Sequence, residues 1–151
     1  FGVEVRGRLK KLIKRPDRLA FGSIVNQGLP FYGGCVTYRF GVDCPGGDIR
    51  LTVPHYDGAL TEIFVDGVHA GEIIFPPYEL ELKELSAGRH EIEVKLYTNR
   101  RNAFGTVHLY DKKCHCIGPD AWPTSGCQWS YEYVLRNVGV ESAPVIYSLK
   151  K

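Results

Sequence analysis

The chain has 151 residues and a formal net charge of +2, the size of one ordinary domain and long enough to bury about 68–70% of its unfolded surface. Hydrophobic residues make up 44% and charged residues 24%, near globular averages, which excludes disordered and fibrous classes. It contains no methionine and begins at Phe1, which reads as a piece of a longer protein whose function depends in part on its neighbours.

Residues 1–18 carry seven Lys or Arg against two acids. Leu9, Leu12 and Ile13 among these cations predict a short helix ending before Pro16, and residues 1–20 read as a linker or an extension from a preceding domain. A basic stretch suits phosphates, but no aromatics interleave it as base-stacking platforms. Nucleic acid is therefore not expected as a partner. No basic start followed by an apolar stretch marks a signal peptide. The uncharged run from Phe21 to Tyr38 is broken by Gly22, Gly28, Pro30, Gly33 and Gly34, so it predicts a loop and not a membrane span.

From Cys35 onward the apolar residues alternate with period two, the mark of half-buried strands. Val36, Tyr38, Phe40 and Val42 share one phase, and the pattern returns at Ile49, Leu51 and Val53. It recurs at Tyr78, Leu80 and Leu82, then at Ile92, Val94 and Leu96, with Glu79, Glu81, Glu91 and Glu93 on the wet phase. Trp129, Tyr131, Tyr133 and Leu135 predict a further strand, and the stretch from Val138 to Tyr147 another. Turns are predicted at Pro45-Gly46-Gly47, Asp57-Gly58, Asp66-Gly67, Pro76-Pro77, Ala87-Gly88 and Gly118-Pro119. Asp66-Gly67, set between two apolar triplets, has the form of a two-residue hairpin. Eight or so short strands with one apolar face each must cover one another. The expected fold of residues 21–151 is all-β, an antiparallel β-sandwich or jelly roll.

Five cysteines at irregular spacing make a poor disulfide framework and favour a reducing compartment, which points to the cytoplasm. Cys35 reads as small buried filler. Zinc held by Cys114, His115, Cys116 and Cys127, or a Cys116–Cys127 disulfide, are the alternatives. The C-x-C pair lacks the C-x2-4-C spacing of structural zinc sites and no second pair follows, so no metal is assigned. No G-x-S-x-G, phosphate loop or H-E-x-x-H motif is present.

Gln27-Gly28-Leu29-Pro30-Phe31-Tyr32-Gly33-Gly34 before a strand, and Val53-Pro54-His55-Tyr56-Asp57-Gly58-Ala59-Leu60 leading to Val65-Asp66-Gly67 and Gly71, resemble a module of large bacterial glycoside hydrolases. Pro77-Tyr78-Glu79-Leu80 and Gly88-Arg89-His90-Glu91-Ile92-Glu93-Val94 extend the likeness. So do the stretches Asn99 to His108 and Gly118 to Tyr133. The ordered set, over about residues 21–147, is similar to the sugar-binding domain of family-two glycoside hydrolases. The resemblance implies a galactose-binding-like jelly roll and a bacterial source. It belongs to a class that often holds a structural calcium ion, although no acidic cluster here marks one, and no cofactor is assigned. The catalytic carboxylates of such hydrolases lie in a barrel that this chain lacks. The implied partners are a carbohydrate and the catalytic domain of the same polypeptide.

Sugar binding asks for an aromatic face against the C–H side of the ring and planar polar groups for adjacent hydroxyls, displayed on loops. Trp122, between Pro119 and Pro123, is the leading stacking candidate. Trp129 is a second, with a core role as its competing reading. Arg100, Arg101 and Asn102 offer fork and amide geometry. His55, Tyr56 and Asp57 form another polar loop, where Asp57 could instead fix a turn with Gly58. His108 faces either a ligand or a buried backbone group. The expected function is that of a non-catalytic carbohydrate-associated module of a larger glycoside hydrolase. The alternative is a purely structural sandwich packed on a catalytic barrel.

Overall fold

A computed structural model describes residues 1–110 and 118–149. The chain is an all-β antiparallel sandwich with almost no helix. It divides into two compact units. One comprises Phe1–Leu19, Ser23–Gly33 and the described part of 99–137; the other comprises Ala20–Gly22, Gly34–Thr98 and 138–149.

The second unit holds the main sheet. Strands β3 (Cys35–Thr52), β5 (Leu60–Val65), β6 (Val68–Ile73), β7 (Glu79–Tyr97) and β9 (Val145–Ser148) pair in the order β6-β5-β7-β3-β9. Asp66-Gly67 forms the β5–β6 turn as its sequence predicts, with both residues at positive φ, the geometry of a two-residue hairpin. A short ladder of β4 (Tyr56–Asp57) and β8 (Gly139–Val140) lies beside this sheet. It is tied there by the Val140 N–H, which donates to the Tyr38 hydroxyl at 3.4 Å, and by the Tyr56 hydroxyl, which donates to the Ile73 carbonyl at 2.9 Å. Ile49, Leu51, Val53, Ile63, Ile92, Val94, Leu96 and Val140 are fully buried in this unit.

Two predicted turns prove to be strand. β3 runs through Pro45-Gly46-Gly47 and β7 runs through Ala87-Gly88, because the two segments pair with each other along their length. A bulge between Gly47 and Ile49 offsets the ladder by one residue. Such an offset reverses the side-chain phase, and the buried positions of β3 pass from Val36, Tyr38 and Cys44 to Ile49 and Leu51 while β7 keeps Leu82, Ile92, Val94 and Leu96. Asp48 closes the bulge by accepting the Glu84 N–H at 3.0 Å. Pro45 is tolerated because β9 pairs with β3 only from Ile49 to Thr52, so at Pro45 the other edge of β3 asks for no donor.

The first unit departs most from expectation. Leu9, Leu12 and Ile13 lie in a strand and not in a helix: β1 (Gly2–Arg6) and β2 (Leu9–Ile13) form an antiparallel hairpin around Gly7, which has φ +60°. The Val3 N–H donates to the Gly28 carbonyl at 2.8 Å, a contact that a helix would forgo. The predicted strand at Trp129–Leu135 is also absent. That stretch is irregular, joined to its neighbour by one bridge between Leu109 and Trp129, and Tyr131 is exposed. One helical turn, α1 (Arg101–Phe104), completes the unit with 3-10 turns at Ile24–Gln27 and Pro119–Ala121. Cys35 is exposed, and among the described cysteines Cys44 is the buried one: with Val36 on the inward phase, the pleat turns Cys35 outward.

Candidate functional site

In the first unit, residues 107–110 run beside 128–134. The Tyr110 N–H donates to the Gln128 carbonyl at 2.8 Å, Ser130 N–H to His108 at 2.7 Å and Val134 N–H to Val107 at 2.7 Å. This irregular pairing sets aromatic side chains in a row. The His108 ring lies 4.7 Å from that of Tyr133 and 6.0 Å from that of Trp129, which meets Tyr131 edge-on at 4.1 Å. Phe31 extends the row, edge-on to Tyr133 at 5.7 Å. The Lys10 ammonium, carried by β2, sits 4.6 Å from the Tyr133 ring centre and 5.3 Å from that of Phe31, within cation–π range. His108 Nδ1 is 2.9 Å from the Ser130 carbonyl, an acceptor to which the ring donates. Half-buried rings with polar edges and an adjacent cation can take the apolar face of a sugar.

A small pocket opens in the same unit. Val107, Leu109 and Val134 give it apolar walls, and Thr106, Arg101 and Arg136 give it a polar rim. Asn102, which also lines it, is buried, and its amide bridges backbone: Nδ2 donates to the Arg136 carbonyl at 2.8 Å and Oδ1 accepts the Arg136 N–H at 2.9 Å. Asn102 therefore positions Arg136 opposite α1. Among the described residues no carboxylate lines the pocket. Among the described residues this unit carries ten Lys or Arg against four Asp or Glu, whereas the other carries five against twelve.

Of the residues expected from sequence, Arg101, Asn102, His108 and Trp129 thus fall in the pocket or the row. Arg100 is exposed beside Gly33, where an added Cβ would lie 3.0 Å from its Cγ. Trp122 is 53% exposed after the 3-10 turn, with its N–H on the Pro119 carbonyl at 3.1 Å, and makes no ring contact with the row among the described residues. His55, Tyr56 and Asp57 belong to the other unit, where they build structure. Tyr56 and Asp57 form β4, and the His55 carbonyl accepts the Glu141 N–H at 3.0 Å. Burial, then the Asp57 charge, push the Glu141 carboxyl up. Its Oε1 is buried without a hydrogen-bond partner among the described residues.

The sequence does not single out Lys10, Phe31 or Thr106 for this site. Tyr131, Tyr133 and Arg136 carry one sequence signal, the Trp129-Tyr131-Tyr133 alternation with Arg136 beyond it, which reads equally as a core strand. Cys114, His115 and Cys116 lie outside the described residues. No group of three or more His, Cys, Asp or Glu placed to hold a metal occurs among those described. No described helix is long and apolar enough to cross a membrane.

No family model and no curated protein sequence matches the chain. Solved structures share its fold. The rhamnosidase from Novosphingobium sp. PP1Y aligns with TM-score 0.54 and 19% identity over 79% of this chain and 11% of its own. The GH2 β-galacturonidase from Eisenbergiella tayi aligns over 99% of this chain and 22% of its own, with TM-score 0.52 and 19% identity when bound to glycerol. Bound to galacturonate it gives TM-score 0.51 and 20% identity over the same shares. The chain thus spans 11% of the rhamnosidase and 22% of the β-galacturonidase, and at these identities the likeness is one of fold.

Proposed function

We propose that the chain is a non-catalytic, galactose-binding-like module of a larger glycoside hydrolase, and that it contacts glycan through the aromatic row of its first unit. The row formed by His108, Trp129, Tyr131 and Tyr133 carries this reading. The rings leave Tyr131 68% exposed, a stacking surface held by its neighbours at little entropic cost on binding. The fold's occurrence as a minor part of glycoside hydrolase chains supports the accessory role. So does the placement of acids on the second unit's strands, where they serve the sheet: Glu62 accepts from Lys95 and Tyr97, Glu93 pairs with Arg39, and Glu81 pairs with Arg50. A glycosidase needs two unpaired carboxyls flanking the scissile bond.

A second reading, a sandwich that only packs on a catalytic barrel, is favoured by the exposed apolar side chains of Ile74 and Phe75, the latter 78% exposed, just beyond β6. Tryptophan fluorescence of the chain, titrated with galactosides, rhamnosides, glucosides and uronates, separates the two. The row reading expects a saturable change that is lost in Trp129→Ala and kept in Trp122→Ala. A flat response to every sugar overturns glycan contact and leaves the packing role.

A further inference from the structure

We propose that the outer edge of β2 takes up an extended, acidic segment of a protein partner as a third strand of the hairpin sheet. The inference stands apart from the glycan reading, because it rests on main-chain groups of β2. The hairpin turns at Gly7-Arg8, so the flanking pair of Arg6 and Leu9 is hydrogen-bonded and the pairs alternate from there. Val5 with Lys10, and Val3 with Leu12, are then the pairs whose main-chain groups point away from the hairpin. On the β1 side the Val3 N–H shows this direction, since it donates outward to the Gly28 carbonyl at 2.8 Å. On the β2 side the N–H and C=O of Lys10 and Leu12 face outward, and among the described residues no neighbouring segment bonds to them. Edge groups left open at two-residue spacing are a template for a further strand.

Charge selects the occupant. Residues 8–15 hold five Lys or Arg and no acid. Glu4 on β1 is taken up by Arg6 at 2.7 Å and Lys14 pairs with Asp17 at 3.0 Å, while among the described residues no acid pairs with Arg8, Lys10 or Lys11. Lysines along an edge keep strands of the same kind apart. A second β2 laid on this edge brings cations together, and like charges directly opposite destabilise a pair. The same cations attract carboxylates, so the edge that rejects a copy of itself favours an acidic strand. Leu9 and Leu12 are exposed on opposite faces of β2 and offer apolar contact to the incoming side chains.

Titration of the full chain with labelled peptides at fixed salt, read by fluorescence anisotropy, tests this. The probe is an octapeptide alternating valine and glutamate. One control is the same peptide N-methylated throughout, which keeps the charge and removes every main-chain donor; the other alternates valine and lysine. The probe should bind at least about tenfold tighter than either control. In the complex the Lys10 and Leu12 amides should exchange with solvent more slowly, as followed by NMR, while those of Lys11 and Ile13, already bonded to β1, stay as they are. Leu12→Pro removes an outward N–H that bonds nothing within the chain, so it should weaken binding and keep the unfolding midpoint. Lys11→Gln, at an exposed position, should weaken binding through charge alone. Equal binding of the N-methylated peptide overturns strand addition, and equal binding of the lysine peptide overturns the acidic partner. No binding of the probe overturns both. Slow exchange at Lys10 and Leu12 without peptide, in a chain that sediments as a dimer, overturns the proposal in favour of a second copy. Polygalacturonate binding as tight as that of the probe overturns it in favour of a general polyanion surface.

Discussion

His90 Nδ1 and the Asp66 carboxylate lie 2.6 Å apart, joining β7 to the β5–β6 turn. The other ring nitrogen is 3.0 Å from the Ser86 carbonyl, and the second Asp66 oxygen accepts the Glu91 N–H at 2.8 Å. Both imidazole nitrogens thus face acceptors, which calls for the doubly protonated ring. The Ser86 hydroxyl lies 3.3 Å from Nε2, the same ring nitrogen that faces the Ser86 carbonyl.

The Asp66 carboxylate, then the Ser86 carbonyl, raise the His90 pKa, and His90, then the Glu91 N–H, lower that of Asp66. A raised histidine stabilises fully below its unfolded pKa, and that contribution is lost as pH climbs through the folded value. A depressed aspartate stabilises above its unfolded pKa and loses that as pH falls. The pair therefore contributes most between about pH 4 and pH 6.5. His90→Gln should lower the melting temperature more at about pH 5.5 than at about pH 9. Equal losses at both would show that the contact is uncharged.

Gly58 has no room for a side chain. An added Cβ would lie 2.5 Å from Leu96 Cδ1 and 2.8 Å from the Tyr97 carbonyl oxygen, and the adjoining Ala59 N–H is bonded to that same oxygen at 2.7 Å. Gly58→Ala should destabilise by about 1–3 kcal/mol, the usual cost of overpacking, read from urea unfolding. An unchanged midpoint would mean that β7 can retreat from the turn.

Asn102→Ala strips partners from both the N–H and the carbonyl of Arg136. Leaving buried polar groups unpaired costs about 1–3 kcal/mol. The Arg136 amide should then exchange with solvent much faster than in the parent chain, and Asn102→Asp, which keeps the acceptor, should protect that amide. Hydrogen exchange followed by mass spectrometry distinguishes the two variants.

Thiol chemistry should follow exposure. Cys35 and Cys127 are exposed, whereas Cys44 is buried, and burial, then the charges of Asp43 and Asp66, push its thiol pKa up. The thiolate is the nucleophile, so iodoacetamide should label Cys35 and Cys127 in the folded protein and Cys44 only after unfolding. Peptide mapping reads each site separately.

The main sheet is legible in the sequence wherever burial is one-sided. The phases at Val36 to Val42, at Ile49 to Val53 and at Ile92 to Leu96 each mark a strand, and Asp66-Gly67 marks its hairpin. Glycine and proline misled at Pro45 to Gly47 and at Gly88, where they sit in a long two-stranded ribbon: turn chemistry describes what the backbone can do, and the cross-strand partner decides what it does. The hairpin at Gly2 to Ile13 escaped because β2 carries cations and exposed leucines, Leu9 and Leu12 being 70% exposed, with no alternation to read, and the alternation of Val3 and Val5 with Glu4 and Arg6 is too short to stand without it. For the candidate site, His108 and Arg101 could be named as polar groups near aromatics. The pairing of Asn102 with Arg136 and of Lys10 with Tyr133 joins residues far apart in the chain, which no local pattern encodes.

The position of β3 bears on the order of assembly. Its Ile49–Thr52 edge is completed by β9, whose first residue is Val145, and its other edge by β7 from Glu79 onward. A growing chain therefore exposes this apolar segment for more than ninety residues before its last neighbour arrives, and distant pairings of this kind slow folding. Release of the nascent chain before Val145 would leave an unpaired strand edge bearing Ile49 and Leu51, so truncation short of β9 should yield aggregation in place of a smaller stable sheet.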